Sequence, residues 1–109
     1  MKSLFMAIAI VASFSANAEF LTGNMLLERL ESQDPFTNGM GLGYVAGVYD
    51  VTRGFAHCPP QTITLGQVAD MTKMLLNSRP DLRHKTADIF VVLPLRNLFP
   101  CPKKGEHGA

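Results

Sequence analysis

Cys58 and Cys101 are the only cysteines in this 109-residue chain, and their separation limits how the rest can fold. Two cysteines allow one intramolecular pairing, and an oxidising compartment lets it persist. The N-terminus supplies a route to such a compartment. Lys2 gives a positive start, residues 4–12 form a short apolar core, and Ala16-Asn17-Ala18 is a small-residue cleavage pattern. Residues 1–18 are therefore expected to be a secretory signal, cut before Glu19. The apolar core is too short to cross a bilayer, which takes about 20 residues. A disulfide closing the 42 residues between Cys58 and Cys101 would add roughly 4 kcal/mol by restricting the unfolded chain. Free or intermolecular thiols are the alternative.

Cleavage leaves about 91 residues, enough for one small domain over residues 19–102, with residues 103–109 as a flexible C-terminal tail. Without Lys2 the chain carries nine basic and nine acidic residues and is formally neutral. Nucleic-acid binding needs a clustered basic surface, whereas the pair Lys103-Lys104 sits in a glycine-containing tail. Asp50, Arg53, Asp70, Lys73, Asp88 and Arg96 interrupt every later apolar run. A periplasmic protein that contacts neither nucleic acid nor, after signal cleavage, membrane is expected.

The pattern predicts an all-α fold, a compact four-helix domain with extra short helical turns and one intramolecular disulfide. Thr22 suits the cap of a first helix reaching about residue 33, with Leu26, Leu27 and Leu30 on one side. Asp34-Pro35 stops it and starts a second helix over about 35–53. That helix is apolar around most of its circumference, with Tyr44, Val48 and Val51 on one side and Val45 and Tyr49 on another, so it reads as the buried central element. Ala56-His57-Cys58-Pro59-Pro60-Gln61 is a rigid connector, because each proline fixes its own φ and restricts the residue before it. Thr64 and Gln67 form a capping box for a third helix that turns Leu65, Val68, Thr72 and Leu75 inward. A last helix over about 86–99 carries Ala87, Phe90, Val91, Leu95 and Leu98 toward the core, and Pro94 denies a hydrogen bond to the Phe90 carbonyl.

Gly39, Gly43 and Gly47 recur every fourth residue and share a helical side with Ala46, Asp50 and Gly54. Each glycine lowers helix propensity by about 1 kcal/mol against alanine, so the row, with Gly43 and Gly47 at its centre, suggests a backbone packing closely against it. Asp50 on that side reads as a hydrogen-bonded carboxylate in preference to a partner contact. The most polar interior stretch holds Arg79, Pro80, Asp81, Arg83, His84 and Lys85, and reads as a loop with one helical turn after Pro80. Loops carry function more often than the elements that flank them.

Together these residues resemble one family from about Phe20 to Cys101. The resemblance rests on Phe20-Leu21-Thr22-Gly23-Asn24, on Gly43-Tyr44-Val45-Ala46-Gly47-Val48-Tyr49-Asp50, and on Cys58-Pro59-Pro60 followed by Thr64-Leu65-Gly66-Gln67. Arg83-His84 and Phe99-Pro100-Cys101 complete it. In order and spacing the chain is similar to the Rap/Tai immunity proteins. That resemblance implies a small helical periplasmic protein, often a homodimer, that protects a bacterium from peptidoglycan-cleaving amidases delivered by type VI secretion. The partner it implies is a cell-wall amidase effector, with no cofactor. The 79–85 segment is then the expected docking element, since Pro80 stiffens it and Arg79, Arg83, His84 and Lys85 make it locally positive. The chain departs from the family pattern at Pro94 and in the extra glycines Gly39 and Gly41.

Two other classes compete. Cys58, His57, His84 and Asp50 are residue types of a Cys-His nucleophilic site, but a catalytic thiol must stay reduced, whereas Cys58 has Cys101 available. Zinc through Cys58, Cys101, His57 and His107 lacks the paired ligand spacing of such sites, so no metal is expected. A small acid-activated periplasmic chaperone would need many carboxylates. Beyond Glu19 the mature chain has only eight, which favours a specific inhibitor.

Overall fold

The structure is a computed structural model that describes residues 20–103. The expected signal at 1–18 and the tail beyond Lys103 lie outside the described residues. Among the described residues four helices form: α1 (Gly23–Leu30), α2 (Pro35–Thr52), α3 (Leu65–Ser78) and α4 (Asp88–Leu98), with a 3-10 turn at Pro80–Leu82. Pairing of extended backbone among the described residues is confined to two isolated bridges, Thr22 with Thr86 and Arg53 with His57.

The caps follow the sequence closely. The Thr22 side chain accepts from the Met25 amide, and Asp34 Oδ2 accepts from both the Thr37 amide and its hydroxyl at 2.8 Å. Thr64 and Gln67 close a reciprocal capping box. Helix α1 ends three residues earlier than expected, at Leu30. There Asn38 Nδ2 donates to the Leu30 carbonyl at 3.0 Å, satisfying a helix-end acceptor from the next helix and tightening the turn. Helix α4 starts two residues late, because Thr86 is paired with Thr22 and the Ala87 amide donates to Leu21.

The core gathers Leu26, Leu27 and Leu30 of α1, Val45 of α2, Val68 and Leu76 of α3, and Ala87, Phe90, Val91 and Leu95 around α4. Helix α1 packs on α2 and α3 on α4, while α2 also meets α3 and α4. Helix α2 touches all three other helices, but the expectation that it is buried is corrected. Only Gly41 and Val45 of its residues are buried, and Val51 is 70% exposed. Apolar residues around a helix report total hydrophobicity, not which side the rest of the chain covers. Gly41 is where α2 touches α1: an added Cβ would stand 3.1 Å from Arg29 Cβ and 3.2 Å from the Leu30 amide nitrogen. Helix α3 is rotated from expectation, with Ala69 and Leu76 inside, Leu75 half-buried and Leu65 exposed. Thr72 is tolerated in the core because its hydroxyl donates back to the Val68 carbonyl at 3.0 Å.

Two ties close the bundle: the antiparallel bridge of Thr22 with Thr86 before α4, and a disulfide after it. The disulfide joins Cys58 to Cys101, with the Cα atoms 4.9 Å apart, and the Cys58 amide donates to the Phe99 carbonyl at 2.8 Å. The chain reaches Cys58 through a turn in which Gly54, at φ +96°, donates its amide to the His57 carbonyl. A φ in that region suits glycine, which has no Cβ to collide with the carbonyl. His57 is fully buried, and its ring sits 5.4 Å from that of Tyr49. The Thr52 hydroxyl donates its one proton to the Val48 carbonyl at 2.6 Å, so its 2.7 Å contact with His57 Nε2 is one in which the imidazole donates. Nδ1 is then the bare nitrogen, buried without a partner. Burial, and secondarily the charge of Arg53, hold the His57 pKa below its ordinary value.

Two outcomes follow from these ties. Thiol titration of the folded protein should find none, and Cys101→Ala should cost up to ~4 kcal/mol, a fall in Tm of up to about 20 °C for a domain of this size. For His57 the unfolded chain binds the proton more readily, so stability should be flat above about pH 7, decline below about 6.5 and level off only beneath the lowered native pKa. His57→Gln should be less stable at neutral pH and should lose that decline between pH 7 and 5, read from Tm against pH.

Candidate functional site

The 79–85 segment leaves α3 at Arg79, whose amide still donates to Leu75, and then winds through successive turns. The Leu82 amide donates to Arg79, Arg83 to Pro80 and Lys85 to Leu82, at 3.1, 3.3 and 2.9 Å. Pro80 starts the 3-10 turn because its fixed φ suits the first helical position and that position needs no amide donor. The expected helical turn after Pro80 is thus present.

The segment's charges are arranged differently from a row of free cations. Arg79 Nε and Nη2 donate to the two carboxylate oxygens of Asp81 at 3.0 and 2.9 Å. That hydrogen-bonded pair raises the Arg79 pKa above its ordinary value and lowers that of Asp81, so each charge is cancelled by its neighbour. Arg83 is half-buried and its Nε is enclosed without a partner. Pro80, Asp81, His84 and Lys85 are exposed.

Beside this segment, α3 and α4 leave an open apolar groove of about 430 Å³, lined by Met71, Met74, Leu75, Leu82, Leu93 and Leu98, with Pro94 in its wall and Arg79 at its rim. Leu98, expected in the core, is 61% exposed, and Met74 is 69% exposed. The last turn of α4 runs past the end of the core, so its apolar residue faces the groove. Position alone could not reveal this, but α3 and α4 carry more apolar residues than one core face can use.

The glycine row is also corrected. Cβ atoms added at Gly39, Gly43 or Gly47 would meet nothing within 4 Å among the described residues, so none of these packs closely on that side of α2. Asp50 is exposed and makes no hydrogen bond among the described residues, contrary to the expected hydrogen-bonded carboxylate. The glycine that the sequence reading missed is Gly23, which is buried against Phe90 and Arg83.

As chemistry, the arrangement offers little beyond a surface. Cys58 and Cys101 are consumed in the disulfide, which leaves no thiolate for attack, and His57 is sealed in the core. Among the described residues no group of three His, Cys, Asp or Glu side chains converges as metal ligands would, and His107 lies outside them. No described helix is long and apolar enough to cross a membrane.

No curated protein matches the chain. A family profile does: it runs from Thr22, the cap of α1, to Cys101, the far end of the disulfide, and so spans both ties that close the bundle. With residues 22–101 matched to the Rap1a immunity proteins, the chain belongs to that family.

Proposed function

We propose that this chain is a periplasmic immunity protein that binds and inhibits a peptidoglycan amidase effector delivered by type VI secretion. The observation that carries the reading is the family match over residues 22–101, since immunity proteins act by binding a cognate effector. The signal pattern at 1–18 and a disulfide that survives only under oxidising conditions support export. The docking element of this reading is the 79–85 segment, rigid and projecting, with the α3–α4 groove beside it to receive an apolar side chain.

A homodimer through α2 completes the reading. Phe36 is 75% exposed, and with Met40 and Val51 it frames the open glycines Gly39, Gly43 and Gly47 on one side of that helix. A second copy, laid isologously on this face, would supply the close backbone the chain itself does not provide.

Replacing Arg79, Arg83 and Lys85 together by alanine should leave the circular dichroism spectrum unchanged and weaken inhibition of the co-encoded amidase by about tenfold or more. Undiminished inhibition would move the contact elsewhere, and failure of the wild type to bind that enzyme would reject the assignment. Light scattering at micromolar concentration should give twice the mature mass. Gly43→Ala with Gly47→Ala should favour the isolated helix by about 1 kcal/mol each while shifting the mass toward the monomer. A monomeric wild type would sink the α2 interface.

A further inference from the structure

Residues 21–24 run beside residues 83–87 as a strap. The Gly23 amide donates to the Lys85 carbonyl and the Asn24 amide to the Arg83 carbonyl, each at 2.9 Å, and the Ala87 amide donates back to Leu21 at 2.8 Å. Thr22 and Thr86 pair across the middle as an antiparallel bridge. The closest approach is at Gly23, where an added Cβ would lie 2.7 Å from Phe90 Cε2, 3.0 Å from the Arg83 carbonyl oxygen and 3.1 Å from Arg83 Cα. Phe90 is fully buried in the core. A side chain at position 23 must therefore push the Phe90 ring aside and press on the Arg83 backbone. The two carbonyls held by the strap belong to Arg83 and Lys85, and the exposed side chains of His84 and Lys85 project from this tied stretch.

We propose that Gly23 is a positioning residue for effector docking: its missing side chain lets the strap lie flat on Arg83 and fixes the backbone that aims His84 and Lys85. The proposal rests on the reading that the 79–85 segment meets the amidase. A segment ordered before binding loses less freedom on binding, so the strap converts a loop into a preformed contact. It also joins two separate stretches of the family resemblance, residues 20–24 and 83–84, into one physical unit.

The test combines hydrogen exchange on the free protein with a double-mutant cycle against the co-encoded cell-wall amidase. In Gly23→Ala the amides of Asn24 and Ala87 should exchange faster, while those in the buried turns of α3 keep their protection. Gly23→Ala should weaken inhibition on the order of tenfold, and Lys85→Ala should cost less in that background than in the wild type. A merely structural role for Gly23 would lower Tm yet leave the two affinity losses additive, and additive losses overturn the proposal, as does unchanged exchange at Asn24 and Ala87. Should Gly23→Ala not fold, Asn24→Pro takes its place in the cycle, removing the amide bonded to Arg83 at a first-turn position where proline is tolerated. A wild type that leaves the amidase fully active overturns the docking reading and this proposal together, whereas inhibition with an additive cycle overturns this proposal alone.

Discussion

Helix α4 can be stable only if both of its ends are held. It has 11 residues, and a helix that short is marginal alone in water. Burying Phe90, Val91 and Leu95 completely contributes about 1.5–3 kcal/mol per side chain, but that burial exists only while α2 and α3 stay in place around it. Before the helix, the strap from residues 21–24 fixes Ala87; after it, the Phe99 carbonyl and Cys101 are fastened to Cys58. One tie is hydrogen-bonded backbone and the other is covalent. Both connect parts of the chain distant in sequence, so the ordering cost of the long connections is met at the points where it is largest.

Closing the ends leaves the sides open. Among the described residues nothing spans the groove between α3 and α4, and α1 covers only the wall of α2 at Gly41, opposite its exposed face. The two unoccupied surfaces are therefore consequences of one closure scheme. The 79–85 segment lies at the strap end of that scheme, where three backbone hydrogen bonds hold residues 83–87 to residues 21–24, and this suits it to present side chains in a fixed geometry.

What the sequence could convey divides along the same line. Caps were legible because their chemistry is local: Thr22, Asp34 and Thr64 each bond an amide three residues on. The disulfide was legible because two cysteines leave one pairing. The buried sides of α2 and the register of α3 were not, since a helix that is apolar all round carries no mark of which side its own chain will cover. The glycines show this most directly. The regular row at positions 39, 43 and 47 meets none of the described residues within 4 Å, while Gly23 and Gly41, with no periodic signature, sit where backbones meet. Close approach is a property of two segments, and only the fold states which two. In the same way the ion pair between Arg79 and Asp81 was present in the sequence as two nearby charges, but whether they would bond to each other or to a partner was decided by the turn at Pro80.

That pairing changes what kind of recognition the segment can support. A run of four basic residues in a neutral chain suggests attraction at a distance, with faster encounter and strong dependence on salt. With Arg79 neutralised by Asp81 and Arg83 half-buried, the exposed positive charge contracts to Lys85, with His84 beside it. One or two exposed charges steer weakly and are screened beyond roughly 8–10 Å at physiological salt. Under the proposed docking, selectivity for a partner would come mainly from shape: the hydrogen-bonded turn and the apolar groove at its flank. Interfaces of that kind gain their affinity from slow dissociation, because well-packed contacts change the off-rate far more than the on-rate. Slow dissociation also suits the proposed role, in which the chain must remain on its effector.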